Sequence, residues 1–222
     1  MFHSVRVVGR GRVGAAVSAR LAERGCDVRE AEGDPADLVL LCVPDAAIAE
    51  VAQSVTEGPW VAHVSGATPL SALDPHRQRF SVHPLQTFVR WRGPEQLDGA
   101  WAAISTESQT ARAHAMWLAQ TLGLRPFDLA EPMRATYHAG AAIASNFLVT
   151  LFQSAALAFE RAGAPPEGLV PLMMRTVENH FELTGPIARG DRATVETHLA
   201  ALARHAPELE AMYRALAALT HP

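Results

Sequence analysis

Val5-Arg6-Val7-Val8-Gly9-Arg10-Gly11-Arg12-Val13-Gly14 joins a short apolar strand to a glycine triplet spaced G-x-G-x-x-G and then to the start of a helix. The helix is read over residues 12–24, because Val13, Val17 and Leu21 recur at every fourth position and Gly25 stops the run. A lone glycine triplet means little, but one placed between a strand and a helix has a mechanical reason for each glycine. Gly9 permits a tight turn, Gly11 lets a pyrophosphate approach the backbone, and Gly14 lets the helix pack on the strand. The unpaired N–H groups of the helix start favour an anion at that place. Gly9, Arg10, Gly11, Arg12, Val13 and Gly14 are therefore the candidate dinucleotide-binding residues.

Working outward, residues 27–30 form a second short strand, and Leu38-Val39-Leu40-Leu41-Cys42-Val43, apolar on both faces, forms a buried third. Val43 and Pro44 close that strand and join the cofactor set, while Asp45 is placed to cap a helix over residues 46–55. A fourth strand covers residues 60–64, and further strands fall at 79–82, 101–105 and 125–129, with a helix at 109–122. β-Branched runs alternating with alanine-rich helices predict an α/β fold, a Rossmann-like parallel sheet domain over residues 1–129. After Glu131-Pro132 the strands stop, and residues 130–222 read as an all-α domain. Residues 135–162 predict one long apolar helix buried on several sides, followed by helices over 167–183, from a cap at Asp191 towards His205, and from Pro207 onward. Phe147, Leu148, Leu151, Phe152 and Leu157 cannot all face one small core, so a homodimer packed through the helical domain is expected.

The 222 residues are 49% hydrophobic and 19% charged with a formal charge of −4, a balance that excludes disorder and gives no basic field for nucleic acid. Lysine is absent throughout, which removes a lysine acid, base or Schiff base and a lysine-dependent P-loop from consideration. Cys26 and Cys42 have no metal-ligand or disulfide spacing, and a reducing cytoplasm is the expectation. Neither a signal-peptide pattern nor an apolar run of membrane-spanning length is seen, so no membrane partner is expected.

The segment after the second strand departs from a full dinucleotide fold. Only Ala31-Glu32-Gly33-Asp34-Pro35-Ala36 separates strands two and three, leaving no room for a helix. Glu30, Glu32 and Asp34 would repel a 2′-phosphate, whereas a glutamate there can accept from a 2′-hydroxyl. NADH is thereby expected over NADPH on charge. The choice between NAD and NADP, and whether binding survives the short segment, stays open at this point.

Joined to Leu40-Leu41-Cys42-Val43-Pro44-Asp45, His63-Val64-Ser65-Gly66-Ala67 and His83-Pro84-Leu85-Gln86-Thr87-Phe88, the glycine triplet gives the chain a family likeness. Tyr137-His138-Ala139, Ser145-Asn146-Phe147-Leu148 and Thr184-Gly185-Pro186-Ile187-Ala188-Arg189-Gly190-Asp191 extend it over nearly the whole chain. The chain resembles the Rossmann-like proteins with an uncharacterised C-terminal helical domain, NAD(P)-dependent oxidoreductases related to 6-phosphogluconate dehydrogenase and pyrroline-5-carboxylate reductase. That resemblance implies the fold firmly and the reaction loosely. Two departures stand out. The family's Ser-Arg type pair after strand two is replaced by the acidic segment, and Ala142 stands one turn before Asn146, where hydroxyacid dehydrogenases carry a catalytic lysine.

Ligands of open α/β sheets bind beyond the C-terminal strand ends, so Pro44, Ser65-Gly66 and His83-Pro84 are expected to border one crevice. His138, Ala142 and Asn146 share a helix face that would close it between the two domains. The catalytic candidates are Ser65, His83, His138 and Asn146: a histidine to protonate a developing oxyanion or amine, the serine and asparagine to orient the substrate. Tyr137 is either a phenolic donor or core, and no metal site is expected from His63, His83 and His138. The function expected is an oxidoreductase acting on an unknown small-molecule substrate, with a catalytically silent relative as the alternative and a prephenate-dehydrogenase-like activity as a third.

Overall fold

A computed structural model describes residues 1–29, 31 and 33–220, and the chain divides into two compact units, Met1–Ala142 and Ile143–Pro222. In the first unit, seven strands form one sheet in the order β2-β1-β3-β4-β5-β6-β7. They are β1 (Ser4–Val8), β2 (Asp27–Arg29), β3 (Leu38–Leu41), β4 (Trp60–His63), β5 (Arg79–Pro84), β6 (Trp101–Thr106) and β7 (Arg125–Asp128). Helices α1 (Arg12–Glu23), α2 (Ile48–Ser54), α3 (Gln109–Thr121) and α4 (Arg134–Ala142) belong to the same unit. β1 to β5 all run parallel, as the alternating pattern predicts. β6 pairs antiparallel with β5, because residues 85–100 return the chain with only the single 3-10 turn Pro94–Leu97 and no crossover helix.

None of the described residues between β2 and β3 is helical, as the short connection requires. Glu30 and Glu32, the two glutamates read against a 2′-phosphate, lie outside the described residues. β3 is buried along its length because it sits inside the sheet with both faces covered. Leu38 and Leu40 pack with Val17 and Leu21 of α1 and Leu118 of α3, while Val39 and Leu41 pack with Ile48 and Ala52 of α2. Asp45 does not cap α2. Its helix begins one turn earlier, as a 3-10 turn over Asp45–Ala47 with Pro44 at the cap position, and Asp45 is drawn inside the first turn.

The turn after β1 is fixed by contact rather than by preference alone. Gly9 has φ +108°, and a Cβ there would meet the Cys42 carbonyl oxygen at 2.5 Å. A Cβ on Gly14 would lie 1.9 Å from the Gly9 carbonyl oxygen, so any side chain at either position has to push α1 off the strands. Gly11 differs: a Cβ there meets nothing within 4 Å. Further along, the buried Arg20 ties α1 to the Pro94–Leu97 turn, donating to the Pro94 carbonyl at 2.9 Å and pairing with Asp98.

The second unit contains α5 (Leu148–Arg161), α6 (Leu169–Glu178), α7 (Gly185–Ala188), α8 (Arg192–His205) and α9 (Glu210–Leu219). Asp191 caps α8 as predicted, its carboxylate accepting from the Thr194 N–H at 3.1 Å. The long predicted helix is present over Glu131–Arg161, with a π turn at Ile143–Phe147 between α4 and α5. It is not buried on several sides in the single chain. Phe147 is 56% exposed and Val149 55%, and the same helix is, by length and composition only, long and apolar enough to cross a membrane. That corrects the sequence expectation that no segment reaches such a length. Its alanines, leucines and phenylalanines make the stretch apolar on average, although isolated polar residues interrupt the run. Within the helical unit an apolar cavity of about 1110 Å³ is lined by Phe159, Leu172, Met173, Leu202 and Met212 among others.

Candidate active site

Two places in the sheet unit carry chemistry: the turn after β1, and a cluster of imidazoles and a phenol where β4, β5 and α4 meet. At the first, Gly11 is the N-cap of α1, with no side chain capping it and no acidic residue in the first turn. The helix start is thus uncapped by any side chain and open at Gly11, the kind of place where backbone N–H groups favour an anion. Val43 flanks the turn, since the Gly9 position packs directly against the Cys42–Val43 backbone. Cys42 is buried, and burial pushes its thiol up to about 12, so it acts here as a small apolar group.

The second place is organised by Arg134, a residue the sequence did not single out. Its buried guanidinium donates to the Ser65 carbonyl at 3.1 Å, to Ser81 Oγ at 2.7 Å and to Glu131 Oε1 at 2.7 Å. One planar fork therefore fixes the end of β4, the middle of β5 and the start of α4 to one another. Removing the arginine alone would strand Glu131 and two oxygen acceptors, at a cost of roughly 3 kcal/mol or more.

Around that anchor, His83 Nδ1 lies 2.8 Å from the Tyr137 hydroxyl, and the His83 and His138 rings meet edge to face with centroids 6.0 Å apart. Gly66 leaves room for both rings: a Cβ there would fall 2.7 Å from His83 Cε1 and 2.8 Å from His138 Cδ2. Burial pulls the His83 pKa down to about 4, helped by His138 and Arg134 and opposed by Asp45. Burial pushes Tyr137 up to about 12, with Arg134 acting in the opposite sense. At neutral pH the pair is thus a neutral imidazole bonded to a neutral phenol. The His83 Nδ1 edge is taken up by the phenol, and the Nε2 edge faces Gly66. His63 is held neutral as well, down to about 3 by burial and then by Arg134, and its Nδ1 accepts the Ser65 N–H at 3.2 Å.

Of the four predicted catalytic residues, His83 and His138 are brought together. The Ser65 hydroxyl is engaged in its own turn, accepting from the Ala67 and Thr68 N–H groups at 3.1 and 2.9 Å. Asn146 is exposed on the π turn of the helical unit, its Oδ1 accepting from Ser145 Oγ at 3.3 Å. Tyr137, read from sequence as either a phenolic donor or core, has its hydroxyl on His83 Nδ1. Its one available signal is helical spacing, since Arg134, Tyr137 and His138 lie three and four positions apart on one face of α4.

The depressed histidines set a pH dependence whose sign follows from linkage. Both folded-state values lie below the ordinary 6.5, so below that pH the unfolded chain binds more protons and stability falls as pH drops towards about 4. In histidine-resolved NMR the His83 ring should stay neutral at pH 6 and titrate near 4. A midpoint at 6.5 or above would contradict its burial against Arg134 and His138.

Comparison with known proteins gives the fold its context. No curated protein matches the chain. Among solved structures, it superposes on a "putative NADP oxidoreductase" from Bacteroides fragilis with a TM-score of 0.81 and 23% identity, covering 97% of this chain and 96% of that one. A 1-pyrroline-5-carboxylate reductase from Streptococcus pyogenes matches with TM-score 0.62 and 15% identity over 96% of this chain and 95% of that one. Prephenate dehydrogenase from A. aeolicus, solved with hydroxyphenyl propionate and NAD+, matches with TM-score 0.59 and 15% identity over 99% of this chain and 97% of that one. These likenesses establish a Rossmann-type sheet with a helical C-terminal part, the architecture expected from the glycine turn and the alternating strands. Residues 100–220 match a family model described as a domain of unknown function, DUF2520, and the chain belongs to that family.

Proposed function

We propose that the chain is an oxidoreductase that holds a nicotinamide dinucleotide, NAD or NADP, at the turn after β1 and reduces or oxidises a small molecule beside it. The observation that carries this is the start of α1: Gly9 and Gly14 are locked by backbone contact, while Gly11 between them lies open at a helix start that no side chain caps. The solved structures it resembles include a reductase and a dehydrogenase bound to NAD+, which supports the same reading. When bound, the dinucleotide supplies or accepts hydride.

The chain's own residues do the rest. Gly9, Arg10, Gly11, Arg12, Val13 and Gly14 cradle the pyrophosphate, with Val43 and Pro44 beside them. His83 offers a neutral N–H towards an oxygen or nitrogen that gains charge, and Tyr137 and His138 hold its ring. Ser65 acts through its turn, which keeps Gly66 and the two imidazole edges in register. Calorimetric titration with NADH and NADPH tests the cradle. Binding of at least one is expected to wild type and should weaken on the order of a hundredfold in Gly11→Val, whose branched side chain occupies the phosphate's place without touching the fold. No binding to wild type, or binding indifferent to Gly11→Val, would remove the reading.

A second copy of the chain is the partner we infer for the helical unit. Leu172, 59% exposed, lines an open apolar cavity with Met173, and Met174 and Val177, 55% and 50% exposed, stand on another side of the same helix. Light scattering at micromolar concentration should give the mass of a homodimer, and Leu172→Glu should halve it. A monomer mass for wild type would contradict this.

A further inference from the structure

His63 closes β4 and is completely buried, and the chemistry proposed for His83 leaves it without a task. Its hydrogen bonding settles where its own hydrogen sits. A backbone N–H can only donate, so the Ser65 N–H at 3.2 Å makes Nδ1 an acceptor, and the neutral ring carries its hydrogen on Nε2. That Nε2–H is a buried donor with no hydrogen-bond partner among the described residues; the Pro69 carbonyl acts on the ring without reaching hydrogen-bond geometry. An apolar side chain in this interior would leave no such donor stranded, so packing alone does not call for a histidine here. What the ring supplies is the acceptor at Nδ1.

The acceptor matters because of the residue it holds. Every polar group of Ser65 is engaged: its N–H by His63, its carbonyl by Arg134 at 3.1 Å, and its hydroxyl by the Ala67 and Thr68 N–H groups at 3.1 and 2.9 Å. The next residue is Gly66, where a Cβ would fall 2.8 Å from His83 Nε2 and 2.8 Å from His138 Cδ2. Contacts this close leave no slack, so a small displacement of the Ser65 peptide changes the room in front of the His83 Nε2 edge.

We propose that His63 is a positioning residue of the candidate active site: by accepting the Ser65 N–H it holds the Gly66 backbone against the two imidazoles and so sets the approach to His83 Nε2. This role rests on the proposed function for the chemistry at that edge, and it needs no bound dinucleotide to be observed. Asparagine at position 63 keeps an acceptor where Nδ1 stands, because its Oδ1 is bonded to Cγ as Nδ1 is, whereas leucine fills similar space and accepts nothing.

The test is histidine-resolved NMR of the full chain without nucleotide, on wild type, His63→Asn and His63→Leu. In wild type the long-range nitrogen pattern should show His63 as the Nε2–H tautomer alone. His63→Asn should keep the Ser65 and Gly66 amides and the His83 and His138 ring signals close to their wild-type positions. His63→Leu should move all of them and raise the His83 midpoint from about 4 towards 6.5, by on the order of one pH unit, as water enters beside Gly66. A His63 hydrogen on Nδ1 would overturn the role, as would a leucine variant that melts earlier with the His83 and His138 signals unmoved, or an asparagine variant displaced as far as the leucine one. If His63→Leu does not fold, the wild-type tautomer and His63→Asn decide. A chain that binds neither NADH nor NADPH removes the proposed function and leaves these signals readable, whereas unmoved imidazoles in a chain that binds dinucleotide remove the role of His63 alone.

Discussion

Two glycines let α1 lie close to the strands: a Cβ on Gly14 would fall 1.9 Å from the Gly9 carbonyl oxygen, and one on Gly9 2.5 Å from the Cys42 carbonyl oxygen. Everything functional hangs on that approach. Because α1 sits this near to β1 and β3, its uncapped start opens at Gly11, and the β3 end at Val43 borders the same place. A methyl group at either locked glycine would separate the helix from the strands and take the anion cradle with it.

A chain without lysine makes its long-range ties with guanidinium forks. Arg20 joins α1 to the turn at 94–98, Arg79 joins β5 to Asp74 and Glu107, and Arg134 joins β4, β5 and α4. Each is buried, and each satisfies two or three acceptors at once, which a single ammonium point charge on a flexible stem does less well. Their electrostatic consequence is local. Arg134 helps keep His83 and His63 neutral, so the candidate group at His83 is a hydrogen-bond donor and not an imidazolium acid.

The parts of this structure readable in the sequence are those determined by neighbours along the chain. Glycine spacing, the doubly apolar β3, the Asp191 cap and the lack of helix among the described residues between β2 and β3 all follow from a few consecutive residues. The reversal at β6 was not readable, because an antiparallel strand inside a covered sheet carries the same apolar pattern as a parallel one. Nor was Arg134 singled out. It acquires its role from partners that only folding supplies, and a single polar side chain has no periodicity to betray its burial. His83 was named on residue type and strand-end position and His138 on its helix face, but Tyr137 resembles any core aromatic until its hydroxyl is found 2.8 Å from the His83 Nδ1.

The central claim is that the open helix start at Gly11 holds the phosphates of a dinucleotide. Amide chemical-shift mapping of the isotopically labelled protein with NADPH or NADH tests it most directly. The account predicts the largest shifts at residues 9–14 and at Val43. Shifts confined to the helical unit, with the amides from Gly9 to Gly14 unmoved, would contradict it.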